Sequence, residues 1–150
     1  MDRITSVPVL IAAVSAGIII AGTFLEIGKV SAFGFSYPFG LHELSLDRQV
    51  LIARLISLAA IVFILIPNMP RYIYSLCGAV LFAQFVPKAL KALKAYREAQ
   101  NVLQATGLSQ YFDIRDYFQF SAGYYLLIIG FLAMLGCAVW FMADFFRKQD

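Results

Sequence analysis

The chain has one histidine, His42, followed directly by Glu43. Zinc sites take three or four protein ligands. The helical zinc-peptidase pattern would need a second histidine four residues on, where Leu46 stands. A single histidine cannot supply both axial ligands of a bis-histidine haem. Together with Glu26, Glu43 and Asp47, His42 could form a polar cluster or a weak cation site, but a solvated loop is the reading the residues favour. The two cysteines, Cys77 and Cys137, lie far apart in apolar surroundings and form no C-x-x-C pair. Thiol–disulfide exchange of the usual kind needs such a pair, so both are read as small packing residues.

Polar groups inside apolar segments are the next candidates, because an ionisable residue within a bilayer is expensive and usually functional. Arg54 sits about one turn into an apolar run, and Gln84 is the one amide well inside another. Asp144 lies beside Arg147 and Lys148 near the end of a third. No series of acids and histidines is spaced as a proton relay, which argues against a pump or a coupled transporter. No metal or other cofactor is expected.

These few groups must be positioned by an unusually apolar chain. Of its 150 residues, 61% are hydrophobic and 14% charged, with a net charge of +3 and a mean hydropathy of +0.79. Soluble domains average about 45–50% apolar and about 25% charged residues, and a chain this short encloses too little interior to hide the excess. The composition excludes a disordered chain, a nucleic-acid-binding domain and a disulfide scaffold. It implies an integral membrane protein of one domain, residues 1–150.

Four apolar runs are long enough, or nearly so, for the roughly 17–25 residues a spanning helix needs. They cover about 8–25, 50–66, 72–90 and 123–146. The first lacks an A-x-A cleavage site and is read as a retained helix. Pro67-Asn68-Met69-Pro70 makes a tight turn between the second and third. The expected fold is an all-α, four-transmembrane-helix bundle. Both termini then lie on one side, and the two long connections, 26–49 and 88–122, lie together on the other.

Each long connection carries a period-two pattern that suits a strand. Phe33, Phe35, Tyr37, Phe39 and Leu41 alternate in the first, and Phe112, Ile114, Phe118 and Phe120 recur in the second. The two aromatic strands could pair into a small sheet, with Pro38 at a strand end or an edge; alternatively, the aromatics simply enter the membrane interface. Residues 88–105 are rich in helix formers and Gly107 is a stop signal, so the third helix should continue past the bilayer. Lys88, Lys91, Lys94 and Arg97 recur every third residue. That spacing walks around a helix instead of marking one face. It suits a solvated collar, or contact with lipid headgroups.

Small residues let membrane helices approach closely. Ala13, Gly17 and Ala21 in the first span and Ser75, Ala79 and Ala83 in the third recur at four-residue spacing. Ala53, Ser57 and Ala60, and Gly130, Ala133 and Cys137, do similar work in the other two. These faces serve either packing within the bundle or docking of another membrane protein, most readily on the first span.

The terminal side holds four Lys and Arg residues and the long-loop side seven. The positive-inside rule would therefore place the loops in the cytoplasm. The layout argues the reverse: a short turn, long folded loops and a protruding third helix resemble the claudin-type tetraspan plan. The claudin loop signature of a Trp with paired cysteines is absent, and the resemblance implies no claudin function. On balance both termini are expected in the cytoplasm of a cell-membrane protein. Tyr96-Arg97-Glu98-Ala99-Gln100-Asn101 resembles the arginine/asparagine stretch of the membrane-associated eicosanoid and glutathione metabolism family. In that family the stretch follows the first span and here it follows the third, so its glutathione-site role does not transfer.

The resulting expectation is a non-catalytic protein acting through helix and loop contacts. It would be an accessory or assembly subunit, or an intramembrane recognition protein of the kind exemplified by toxin-immunity proteins. Its partners would be membrane lipids and another membrane protein or itself, and no nucleic acid. One alternative is a small homo-oligomeric channel with Arg54, Gln84 or Ser57 on its lumen. Another is a membrane enzyme acting on a lipid-soluble substrate, with the His42/Glu43/Asp47 loop or the Arg97/Asn101 helix as its polar group.

Overall fold

The computed structural model describes residues 6–32, 35–40, 47–108 and 118–148. The elements run α1 (Val7–Phe24), β1 (Gly28–Ala32), β2 (Phe35–Phe39), α2 (Asp47–Leu65), α3 (Tyr72–Ala105), β3 (Phe118–Phe120) and α4 (Ala122–Arg147). All four helices are long and apolar enough to cross a membrane. They begin and end within a few residues of the expected spans, apart from α3.

Local chemistry explains the boundaries. Pro8 stands in the first turn of α1, where its missing N–H costs nothing. Between α2 and α3 the chain reverses through Asn68, whose φ is 72°; asparagine tolerates this left-handed conformation better than most residues. Beyond Ala105, Gly107 takes φ 70° and its N–H donates to the Gln104 carbonyl at 3.2 Å, which closes the last turn. At a rise of about 1.5 Å per residue, the 34 residues of α3 exceed the roughly 30 Å hydrocarbon thickness by about 20 Å. The helix runs unbroken through Pro87, and every residue from Ala89 to Ala99 is exposed.

The helices form a ring in which α1 packs on α4 and α2, and α3 packs on α4 and α2. The interior is built mostly from small and medium side chains, Ala12, Ala16 and Ile19 of α1, Ala53 and Ala60 of α2, Leu81 of α3, and Met134 and Cys137 of α4, with Tyr74 of α3 and Phe141 of α4 as the large side chains buried among them. Large apolar side chains such as Leu10, Leu55, Leu76, Leu132 and Trp140 point outward. This arrangement fits hydrocarbon surroundings, where helices gain by close packing and leucines need no hiding.

Glycines set the tightest approach, between α1 and α4. A Cβ on Gly22 would lie 2.9 Å from Leu127 Cγ, and one on Gly130 would lie 2.8 Å from Ile19 Cγ1 and 3.1 Å from the Ile19 backbone nitrogen. At the start of α4, a Cβ on Gly123 would lie 2.6 Å from the Glu26 carbonyl oxygen. The Gly123 N–H donates to that same carbonyl at 3.0 Å.

A three-stranded antiparallel sheet sits at the long-connection end, in the order β2-β1-β3. Its pairing corrects the expected one. The aromatic segments do not pair with each other: each pairs with β1, Gly-Lys-Val-Ser-Ala, which has no aromatic residue. Val30 opposes Tyr37 on one side and Phe118 on the other. Aromatic alternation alone could not single out β1, because the central strand is the one that carries small residues. Pro38 lies on the edge strand β2, where its missing donor breaks no ladder. Phe33, Leu41, Phe112 and Ile114 lie outside the described residues. The sheet is tied to the bundle by Ile27 N–H to Phe39 O (2.9 Å) and Ser121 N–H to Ile27 O (2.8 Å). The β1–β3 pairing brings both long connections to one end of the bundle, as expected.

Candidate functional site

Among the described residues, polar groups of Ser15, Thr23, Arg54, Tyr74 and Ser75 form three ties between helices. The first spans the bundle diagonally. Tyr74 of α3 places its hydroxyl 2.9 Å from the Ala12 carbonyl and 2.7 Å from Ser15 Oγ of α1, and Ser15 Oγ lies 2.8 Å from the same carbonyl. Three contacts share two hydroxyl protons, so two bonds form at a time. Tyr74 can donate to Ala12 and Ser15 to Tyr74, Ser15 can donate to Ala12 and Tyr74 to Ser15, or both hydroxyls can donate to the two lone pairs of the Ala12 carbonyl. Both side chains are buried, and the Tyr74 ring stands edge-on to Phe141 with centroids 5.7 Å apart. Tyr74→Phe keeps the ring and removes the bridge. It should cost about 0.6 kcal/mol and at most about 1.7 kcal/mol, the average and the maximum for side-chain hydrogen bonds between membrane helices, read as a lower detergent-unfolding midpoint. An unchanged midpoint would show that this bridge does not hold α1 to α3.

The second tie is Ser75 Oγ of α3 donating to the Ala138 carbonyl of α4 at 2.9 Å. The third uses Arg54 of α2, whose Nε donates to Thr23 Oγ1 at 2.9 Å and whose Nη2 donates to the Thr23 carbonyl at 3.1 Å. Its guanidinium carbon lies 3.6 Å above the Phe24 ring centroid, and Thr23 Oγ1 itself donates to the Ile20 carbonyl at 2.6 Å. The last carbonyls of a helix have no partner within it, and a cation there also meets the negative end of the helix dipole. α1 has no basic residue in its own last turn. Arg54 supplies one from the neighbouring helix, as a cap on the end of α1.

Other candidate residues are placed more simply. Ser57 is fully buried in α2 and Gln84 is half-buried in α3; among the described residues, Ser57 Oγ and Gln84 Oε1 have no hydrogen-bond partner. Lys88 is half-buried, while Lys91, Lys94 and Arg97 are exposed on the protruding part of α3. Lys94 pairs with Glu98 at 3.9 Å on the surface, a contact worth little in water. Cys77 and Cys137 are free thiols. His42 and Glu43 lie outside the described residues. Among the described residues, no group of three or more His, Cys, Asp and Glu side chains could hold a metal ion.

The small-residue faces divide between packing and exposure. Ser75 points inward, whereas Ala79 and Ala83 are exposed and Gly78 takes the interior place beside Met134 and Ala138. On α1, Ala13 borders the core. Gly17 and Ala21 turn outward, and nothing lies within 4 Å of a Cβ built on Gly17. A groove of about 320 Å³ lies at the other end of the bundle from the sheet, between the α2–α3 turn and the end of α4. Its charged groups engage their neighbours: Lys148 Nζ donates to Asp144 Oδ2 at 2.6 Å, and Arg71 lies over the Phe141 ring.

Sequence reasoning singled out Arg54 but missed its partner Thr23, and missed the Ser15–Tyr74 bridge. A signal was present: Ser15 and Thr23 share the face of α1 defined by Ala12, Ala16 and Ile19. Among the described residues, the fold thus comprises four helices of membrane-spanning proportions with a small sheet over one end and interhelical polar ties inside. The chain matches no protein-family model, no curated protein and no solved structure.

Proposed function

We propose that this is a non-catalytic multi-pass membrane protein that acts by contact, as an accessory or assembly subunit or an intramembrane recognition protein of the toxin-immunity kind. The observation that carries this reading is the outward turn of α1. Gly17 and Ala21 form a shallow small-residue strip between the exposed side chains of Val14 and Phe24. Such a strip lets a second helix approach closely in lipid. The polar side chains of Tyr74, Ser15, Ser75 and Arg54 hold helices together, in support of a role without chemistry. The partner in this reading is another membrane protein, with both termini on the cytoplasmic side of the cell membrane. Lys88, Lys91, Lys94 and Arg97 ring α3 just past Pro87, where they can meet lipid headgroups.

The test is Gly17→Leu. The variant should insert and accumulate as wild type does, because its side chain enters open space, yet lose the partner that copurifies from native membranes in gentle detergent. Undiminished copurification would remove α1 as the docking face. Recovery of a pure homo-oligomer with ion flux in vesicles would favour the channel reading.

A further inference from the structure

We infer that the aromatic face of the sheet is seated in the lipid of the membrane interface, holding the long-connection end of the protein at a set depth. Cross-strand partners share a face of a sheet. The register therefore places Gly28, Val30, Phe35, Tyr37, Phe39 and Phe120 on one face. Lys29, Ser31, Ser36, Pro38 and Gln119 fall on the other. The sheet is thus amphipathic, and among the described residues it is a single layer with no second layer over it.

Its anchored end shows which way the apolar face looks. Phe39 lies over Gly28, where a Cβ would come within 2.7 Å of Phe39 Cζ, and packs with Ile27, Val50, Tyr124 and Leu127. Phe120 stacks on Tyr124 with centroids 4.1 Å apart. The aromatic face therefore turns toward the first turns of α2 and α4. Along the hairpin this face runs out of helix to cover it: Tyr37 is 74% and Phe35 71% exposed, and Val30 is also exposed.

Lipid is the occupant the surroundings favour. The exposed apolar surface of α1 continues through Phe24 and Leu25, and β1 begins only four residues after α1 ends. Tyr37 lies two residues along β2 from the anchored Phe39, about 7 Å at strand rise. The headgroup layer on each side of the hydrocarbon is about 5–8 Å thick, so the ring falls within it. Tyrosine is enriched at that depth because its ring is apolar and its hydroxyl wet. Lys29, on the opposite face, is exposed and positioned toward water and headgroup phosphates.

The experiment uses the full chain in phosphatidylcholine vesicles, with Trp140→Phe removing the one native tryptophan. Tyr37→Trp is then compared with Ser36→Trp on the opposite face. If the inference holds, the Tyr37→Trp probe is quenched strongly by lipid brominated high on the acyl chain and less by lipid brominated near the chain end. It is also severalfold less sensitive to aqueous acrylamide than the Ser36→Trp probe. Equal acrylamide quenching of both probes, without bromolipid quenching, would overturn the inference by placing the face in water. Shielding of the Tyr37→Trp probe from both quenchers would overturn it in favour of a second copy of the chain. Phe35→Trp carries the same test if Tyr37→Trp does not fold.

Discussion

Gly130→Leu is expected to unfold or strongly destabilise the bundle, whereas Gly136→Leu, six residues along the same helix, leaves it intact. At Gly130 even the first carbon of a side chain would meet Ile19 Cγ1 at 2.8 Å, the Ile19 backbone nitrogen at 3.1 Å and Ile18 Cγ2 at 3.2 Å. A side-chain end can swing aside, but the α1 backbone cannot, so α1 and α4 must part. Overpacking a close-packed interior typically costs about 1–3 kcal/mol and occasionally more. The leucine at this site should fall at or above the top of that range. At Gly136 nothing lies within 4 Å of the added carbon, and an outward leucine faces lipid, so the change should stay within about 0.5 kcal/mol. Unfolding by SDS titration in mixed micelles reads both variants. Equal midpoints would mean that α1 and α4 do not pack as described.

Arg54→Ala should cost about 2 kcal/mol and Thr23→Val about 1 kcal/mol, the order of hydrogen bonds to a charged group. Thr23→Val removes the hydroxyl acceptor but leaves the carbonyl, which the guanidinium also contacts; the smaller loss follows from that. In the double variant the losses should fall short of additive by about 1 kcal/mol, the signature of residues in direct contact. Strict additivity would mean that the cap on α1 does not hold in solution. The same Arg54→Ala protein also separates two functional readings. A lumen-facing arginine would alter ion flux in reconstituted vesicles, whereas a capping arginine leaves flux at the wild-type level.

The four helices were legible because apolar runs of that length have few other fates, and the Pro67–Pro70 turn and Gly107 stop follow from backbone preferences of single residues. Pro38 could be placed at an edge for the same reason. The sheet was half-legible. Aromatic alternation marked Phe35–Phe39 and Phe118–Phe120 as strands, yet their common partner β1 has a composition that marks nothing. The site was least legible. Gly17 and Gly130 look alike in sequence, each in an apolar run beside small residues. One faces open space and the other the backbone of α1, a difference set by the rotation of each helix about its own axis.

The amino-acid sequence by itself determined the membrane-spanning proportions, the order of the four long apolar helices among the described residues, the extension of α3 and the gathering of both long connections at one end. These depend on composition, local backbone preference and the parity of the spans. Only the tertiary structure decided which small residues pack and which are exposed, that Arg54 caps α1 through Thr23, that Tyr74 bridges to Ser15, and that both aromatic strands flank β1. Those outcomes depend on helix rotation and strand register, which are settled by contacts between residues distant in the chain. With small residues on more than one side of a helix, hydropathy alone leaves several rotations nearly equal until neighbouring helices select among them.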